Sequence, residues 1–342
     1  MSFRILPRGS IGFNACPDVV EPTRLLQLAM LAEKVGFRAV WVSDHFHPWF
    51  HTEAHECHSW IWMAAAMQLV RVPFGTAVTA PLFRYHPAIV AQAFATLQTL
   101  YGPRVILGVG TGEAMNEVPL GFPWPSPAVR RRMLIEAVRI IRLLWTGEFV
   151  DFEGAYYRLR RANLYMKANM PVLISALGPK MARVAGLHGD GIITATVTPE
   201  FGRSVLLPAF KEGCREAGRA FERAYKVAEL DVGYDPDYDR ALASVRKWAS
   251  TLIGDMFVKE TADPKLIEER GREVPDERLK EVFVIATEEE PFIKRIEAYF
   301  DAGFDHVYLL INAQDDERAI EFFGRRVLPY FSEGPKGPPG KV

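Results

Sequence analysis

The chain has 342 residues, 41 basic against 42 acidic side chains and a formal net charge of -1, which removes the electrostatic case for a nucleic-acid partner or an anionic membrane surface. With 22 Phe, 11 Tyr, 7 Trp and 24% charged residues, a largely disordered chain is excluded as well. Length leaves one large α/β barrel or two ordinary domains. The three dispersed cysteines, Cys16, Cys57 and Cys214, form no CxxC pair, which argues against a disulfide framework and for a reducing compartment. No window nears the roughly 20 uninterrupted apolar residues of a membrane span, and the first ten residues lack a signal-peptide core. The expectation is a soluble, cytoplasmic protein.

Short β-branched runs alternate with helical patterns along the chain. Residues 11–15 read as a strand, and 23–35 as a helix with Leu25, Leu28, Ala29, Ala32 and Val35 at helical spacing before Gly36. Strands at 39–43, 74–78 and 105–109 precede helices at 58–70, 88–100 and 128–145. Aromatic and charged residues alternate around Glu153-Gly154, predicting a hairpin excursion over 150–165. Strands at 172–176, 191–195 and 226–232 then precede helices at 180–187, 200–217 and 238–252. A charged stretch over 254–278 reads as an insertion or lid, before helix 291–302, strand 306–311 and helix 317–328. Eight βα units predict a TIM barrel over residues 1–331, with insertions at about 150–168 and 254–278 and a disordered tail at 332–342. A doubly wound parallel sheet is the structural alternative.

In a barrel, chemistry gathers where strands end. Those positions hold Asn14, Asp44-His45, Thr79, the Gly110-Thr111-Gly112-Glu113 run, Gly178, Thr194, Thr196 and Asn312. Five of the eight histidines fall between Ser43 and His58. His51 and His55 have the i, i+4 spacing of a metal pair, but Pro48 and the local polarity indicate a loop and no second ligand group follows, so no metal is assigned. His45, emerging at a strand terminus, reads as a catalytic base or as a hydrogen-bonded loop residue. The glycine run is not a dinucleotide fingerprint, because Glu113 stands where the last glycine is required. It offers instead a bare backbone for a flat ring, with Glu113 and Asn116 presenting polar groups. Arg84 reads as a carboxylate or phosphate partner or as a surface ion pair. Gly178 opens a helix whose N-terminus suits an anion. Trp60 and Trp62 read as core, and Arg130 to Arg132 as a solvated helix face.

Together SDHFHPW, FRYHPAIVAQAFATL, GVGTGEAMNEVP, the Tyr156-Tyr157 hairpin and LGPKMARVAGLHGDG resemble the coenzyme F420-dependent branch of the bacterial luciferase-like superfamily, from about Gly12 to Leu328. The resemblance implies a TIM barrel, a homodimer and a deazaflavin that exchanges hydride at C5. It implies His45 as the base for a hydroxyl proton, Trp49 as a hydrogen-bond donor to the substrate oxygen and Glu113 as the acid beside the ring. Asp44, Ala77, Val78, Thr111, Gly112, Asn116, Ala176 and Gly178 then contact the coenzyme, Ala77-Val78 often as a cis peptide and Gly178 at the phosphate tail. Asp18 stands where the family usually has a glutamate, and Trp248 and Phe257 wall the substrate pocket. Two activities compete, on a secondary alcohol or on glucose 6-phosphate, with a flavin-dependent monooxygenase as a further alternative. Sugar-phosphate members place two lysines and an arginine around the phosphate; the matching positions lie near Val197-Thr198, Val258 and Val282, with Lys259 one step away. That favours an alcohol or ketone as substrate.

Overall fold

A computed structural model describes residues 4–332. Its strands are β1 (Ser10–Ala15), β2 (Val40–Val42), β3 (Phe74–Thr76), β4 (Val105–Val109), β5 (Val150–Glu153), β6 (Arg158–Ala162), β7 (Val172–Ser175), β8 (Gly191–Thr194), β9 (Tyr225–Tyr234), β10 (Val284–Ala286) and β11 (His306–Asn312). Parallel pairing runs β1-β2-β3-β4-β7-β8-β9-β11, and β11 returns to β1 with Ser10 opposite His306. The sheet therefore closes into an eight-stranded parallel barrel, and the open, doubly wound alternative is excluded.

The first four strands are buried at every position, because helices cover the outside while side chains fill the inside. Helix Pro22–Val35 shows how the outer layer is specified. Pro22 opens it, the Glu21 carboxylate accepts the Thr23 and Arg24 N–H groups, and Gly36 closes it in the left-handed region at φ 115°. Leu25, Leu28, Ala29 and Ala32 form its buried stripe.

Inside the barrel, Trp41, His306 and Tyr308 form a polar-stitched plug. Trp41 Nε1 donates to His306 Nε2 at 3.0 Å, and His306 Nδ1 meets Ser10 Oγ at 2.8 Å. Burial keeps that imidazole neutral, lowering it to about 3. A Cβ on Gly75 would lie 2.6 Å from the Trp41 ring, so only glycine lets the indole lie there. With the interior plugged, space for a ligand remains at the C-terminal ends of the strands.

Several elements depart from the sequence reading. The charged stretch contains helices Pro264–Arg272 and Asp276–Val282, followed by β10, an unpredicted strand that pairs with Val232 to Tyr234 beyond the point where β8 leaves β9. These helices bury Ile267, Leu279 and Val282 against Trp49, Phe50 and Trp248 over the barrel mouth. The predicted helix 238–252 is α-helical only to Val245 and continues as a 3-10 helix, Arg246–Leu252. Helices 200–217 and 317–328 each contain a wider turn, at Gly202–Leu206 and Phe323–Val327. Pro208 and Pro329 follow these turns and supply no N–H for an α-helical bond, which accounts for the wider register. The hairpin forms as β5 and β6, antiparallel and outside the barrel. Ser332 ends helix Leu328–Ser332, and the rest of the predicted tail lies outside the described residues. Among the described residues, no helix is long and apolar enough to cross a membrane.

Candidate active site

A cavity of about 280 Å³ opens at the C-terminal ends of the strands. Of the fourteen residues to which the resemblance gives a site role, His45, Trp49, Ala77, Val78, Thr111, Gly112, Glu113, Gly178, Trp248 and Phe257 line it. Asp18, Asp44, Asn116 and Ala176 do not; they stand behind the lining and shape it.

His45 leaves β2 beside the loop that follows β1. Its Nδ1 lies 2.8 Å from Asp18 Oδ1, leaving Nε2 as the nitrogen available to a ligand. Asp18 is fully buried; its other oxygen accepts the Trp49 N–H at 3.0 Å, and Cys16 Sγ donates to Oδ1 at 3.5 Å. It is therefore the partner that orients the imidazole, one layer behind the cavity lining. Burial opposes a charge on either group, yet the attraction and hydrogen bond between them prevail. Asp18 is held below the ordinary carboxylate range, and His45 is lifted to about 9, with Glu56 and Glu113 adding to the pull. Trp49 and Phe257 stack obliquely with centroids 5.4 Å apart, and Trp248 meets Phe50 edge-on at 5.3 Å, so the wall beside His45 is aromatic.

The opposite wall is backbone. The Ala77–Val78 peptide is cis, and a Cβ on Gly110 would lie 2.6 Å from Val78 Cγ2. Gly112 turns at φ 76°, presenting Glu113 to the cavity. Glu113 Oε2 accepts from Asn116 Nδ2 at 3.0 Å, and Asn116 Oδ1 accepts the Phe46 N–H at 2.7 Å. Asn116 thereby ties the loop after β4 to the loop carrying His45. Gly178 faces open space at the start of helix Pro179–His188, where main-chain N–H groups point outward. Ala176 backs this wall, its carbonyl accepting from Thr194 Oγ1 at 2.8 Å.

Asp44 faces away from the cavity. It accepts from Thr79 Oγ1 at 2.6 Å and from Arg84 Nη2 at 3.0 Å, and Arg84 also lies beside Glu117. Arg84 is thus neither an open anion site nor a surface ion pair; it is a buried cation between two acids. Trp60 Nε1 donates to Thr79 Oγ1 at 3.1 Å, adding to the same network.

Three charged lining residues, Arg130, Glu229 and Asp231, were not recognised in the sequence. Arg130, read there as part of a solvated face, is 1% exposed. Its guanidinium stacks on Trp124 at 3.7 Å and donates to the carbonyls of Pro125, Thr111, Gly112 and Phe257 at 2.8–3.3 Å. The signal was present: Arg130, Leu134, Ala137, Val138 and Ile141 share one helical stripe, whereas Arg132 is exposed on another. Glu229 and Asp231 alternate along the buried strand β9 and so both face inward. Glu229 accepts from Asn14 Nδ2 at 2.8 Å; burial lifts it to about 7 and pushes Asp231 well up. Such a floor is polar and close to neutral.

A barrel with a histidine-carboxylate pair, a bare backbone wall and a helix N-terminus at its mouth defines the class, and the chain belongs to the luciferase-like monooxygenase family, whose model matches residues 9–306. Among its relatives, the F420-dependent glucose-6-phosphate dehydrogenase of Microbacterium testaceum is 38% identical over 322 residues, covering 93% of this chain and 96% of that one. The enzyme of the same name from Rhodococcus erythropolis is 39% identical over 325 residues, with 93% and 96% coverage. A solved F420-dependent secondary alcohol dehydrogenase in complex with an F420-acetone adduct superposes with a TM-score of 0.91 at 41% identity, over 93% of this chain and 98% of its own.

Proposed function

We propose that this chain is a coenzyme F420-dependent dehydrogenase that oxidises a small secondary alcohol to a ketone, or runs the reverse reduction. The residues present fit the coenzyme. Ala77, Val78 and Gly110 offer a flat face without projecting polar groups, Glu113 a polar edge, and the open N-terminus at Gly178 a seat for a phosphate. When bound, the deazaflavin supplies a hydride acceptor at C5. His45 Nε2 takes the hydroxyl proton of the alcohol, while Asp18 fixes the ring and stabilises the imidazolium that results. Trp49, Phe257 and Trp248 exclude water from the carbinol carbon. Glu113 is placed to hold a proton or hydrogen bond at the ring edge.

The observation that carries the alcohol over a sugar phosphate is the charge inventory. Among the described residues lining the cavity, Arg130 is the one lysine or arginine, and its bonds go to main-chain carbonyls. Lys259 points its ammonium at Asp255, 2.5 Å away, and is largely exposed. Val258 lines the pocket where a phosphate-binding lysine is expected, and Val282 is buried in the apolar cluster above it. Each missing partner of a buried phosphate costs roughly 2–5 kcal/mol. The second reading, glucose-6-phosphate oxidation, is supported by the names of the bacterial relatives. Purified protein with coenzyme F420 is expected to turn over 2-propanol with kcat/KM at least about 100-fold above that for glucose 6-phosphate. The reverse ranking in a coenzyme-bleaching assay replaces the alcohol with the sugar phosphate.

The reading includes a homodimer. Helices Ser59–Leu69 and Pro87–Tyr101 contain no charged residue, yet leave Ile61, Leu69, Ile89 and Leu100 exposed. Such a face suits a second copy of itself. Sedimentation is expected to give a dimer for the native chain and a monomer for Ile61→Glu; a native monomer removes the dimer from the proposal.

A further inference from the structure

The Asp18–His45 pair has a third member that the mechanism above does not use. Asp18, His45 and Glu56 each place a side-chain oxygen or nitrogen within 4.8 Å of the other two. Glu56 Oε1 accepts the Cys57 N–H at 2.9 Å, whereas Oε2 is buried and has no hydrogen-bond partner among the described residues. A buried carboxylate oxygen without a donor is costly, and beside the Asp18 carboxylate it is costlier still. A proton on Glu56 removes both penalties at once.

We propose that Glu56 is a positioning residue for the base: its carboxyl holds a proton beside Asp18 and His45 and sets the pH at which the imidazole becomes free to accept the alcohol's proton. The inference rests on His45 being that base. In one turnover the alcohol O–H bond breaks and its proton goes to His45 Nε2, while the hydride pair leaves with the coenzyme. One proton then leaves the cluster for solvent through Glu56, which is only partly covered, and the imidazole is neutral again. No electrons are gained or lost within the cluster.

The surroundings agree. Cys16 and Asp18 face the cluster from the end of β1, Cys57 flanks Glu56, Glu113 approaches after β4, and Glu229 faces His45 from β9. Lys247 is the cation on the far side of Cys16 and Asp18. Burial lifts Glu56 to about 9, with the Asp18 charge adding to the lift and the imidazolium opposing it. Two neighbouring groups near the same value lose their protons in coupled steps that belong to the pair.

The test follows the His45 ring nitrogens by NMR in the full-length chain without coenzyme, assigned by their loss in His45→Asn. The native imidazole is expected to titrate in two coupled steps near pH 9, and Glu56→Gln to show one step lower by about one pH unit or more. In parallel, the rise of 2-propanol oxidation with pH in the presence of coenzyme F420 is expected to move to lower pH in Glu56→Gln by a similar amount. Infrared difference spectroscopy of the native chain against Glu56→Gln is expected to show a protonated carboxyl band persisting into alkaline pH that the variant lacks, which separates it from the band of Asp231. An unchanged imidazole titration in Glu56→Gln, or no such band above neutral pH, overturns the role of Glu56. A shifted titration in a chain that oxidises no alcohol supports Glu56 while overturning the alcohol reading, so the two failures are separable.

Discussion

Alanine at His45 is expected to lower turnover of 2-propanol by roughly 100- to 10,000-fold, the usual range for loss of a positioned general base. Coenzyme binding should survive, because the backbone wall at Ala77, Val78 and Gly110 and the helix start at Gly178 are untouched. Fluorescence titration with coenzyme F420 and steady-state turnover on the same preparation check both halves. Near-native turnover would falsify His45 as the base. The pH dependence carries a sign as well. With the free imidazole lifted to about 9, alcohol oxidation needs the neutral form, so kcat/KM in that direction rises as pH climbs through this value. Ketone reduction needs the protonated form and falls over the same interval.

Methionine at Arg130 is expected to destabilise the fold by about 3–5 kcal/mol, read as a lowered denaturant midpoint. Methionine keeps much of the volume but removes every donor, leaving the carbonyls of Pro125, Thr111, Gly112 and Phe257 without this partner, and it strips the cation from the face of Trp124. The same change at Arg132, exposed on the same helix, should move stability by no more than about 0.5 kcal/mol. Equal effects at the two positions would show that the guanidinium does not join these loops.

The barrel was legible because most of its eight closing strands are short apolar runs followed by a helical stripe with its own start and stop signals, as at Pro22 and Gly36. What escaped was set by tertiary contact. β10 is three residues long and exists because β9 outruns β8, which no local pattern encodes. Trp49, Ala77, Val78, Trp248 and Phe257 came from the family resemblance, whereas His45, Thr111, Gly112, Glu113 and Gly178 were read from strand ends, where a barrel must place its chemistry. Asp44 met that criterion too, but Arg84, 40 positions further along the chain, turns it into the wall. Arg130 failed for the opposite reason: its neighbours Arg131 and Arg132 suggested solvent, although its helical phase pointed to the core. Placement at the cavity was legible where strand position decided it, and was misread where a distant partner did.

The single guanidinium that fastens the Gly112 carbonyl also fastens that of Phe257. The loop at Gly112 and the turn at Phe257 are therefore not free to diverge independently. A change that moved the turn's backbone to admit a larger ligand would be transmitted to the glycine loop and penalised there. Descendants of this chain can broaden their substrate range more cheaply at side-chain tips such as Val258, which lines the pocket while remaining half exposed, than by remodelling the turn itself.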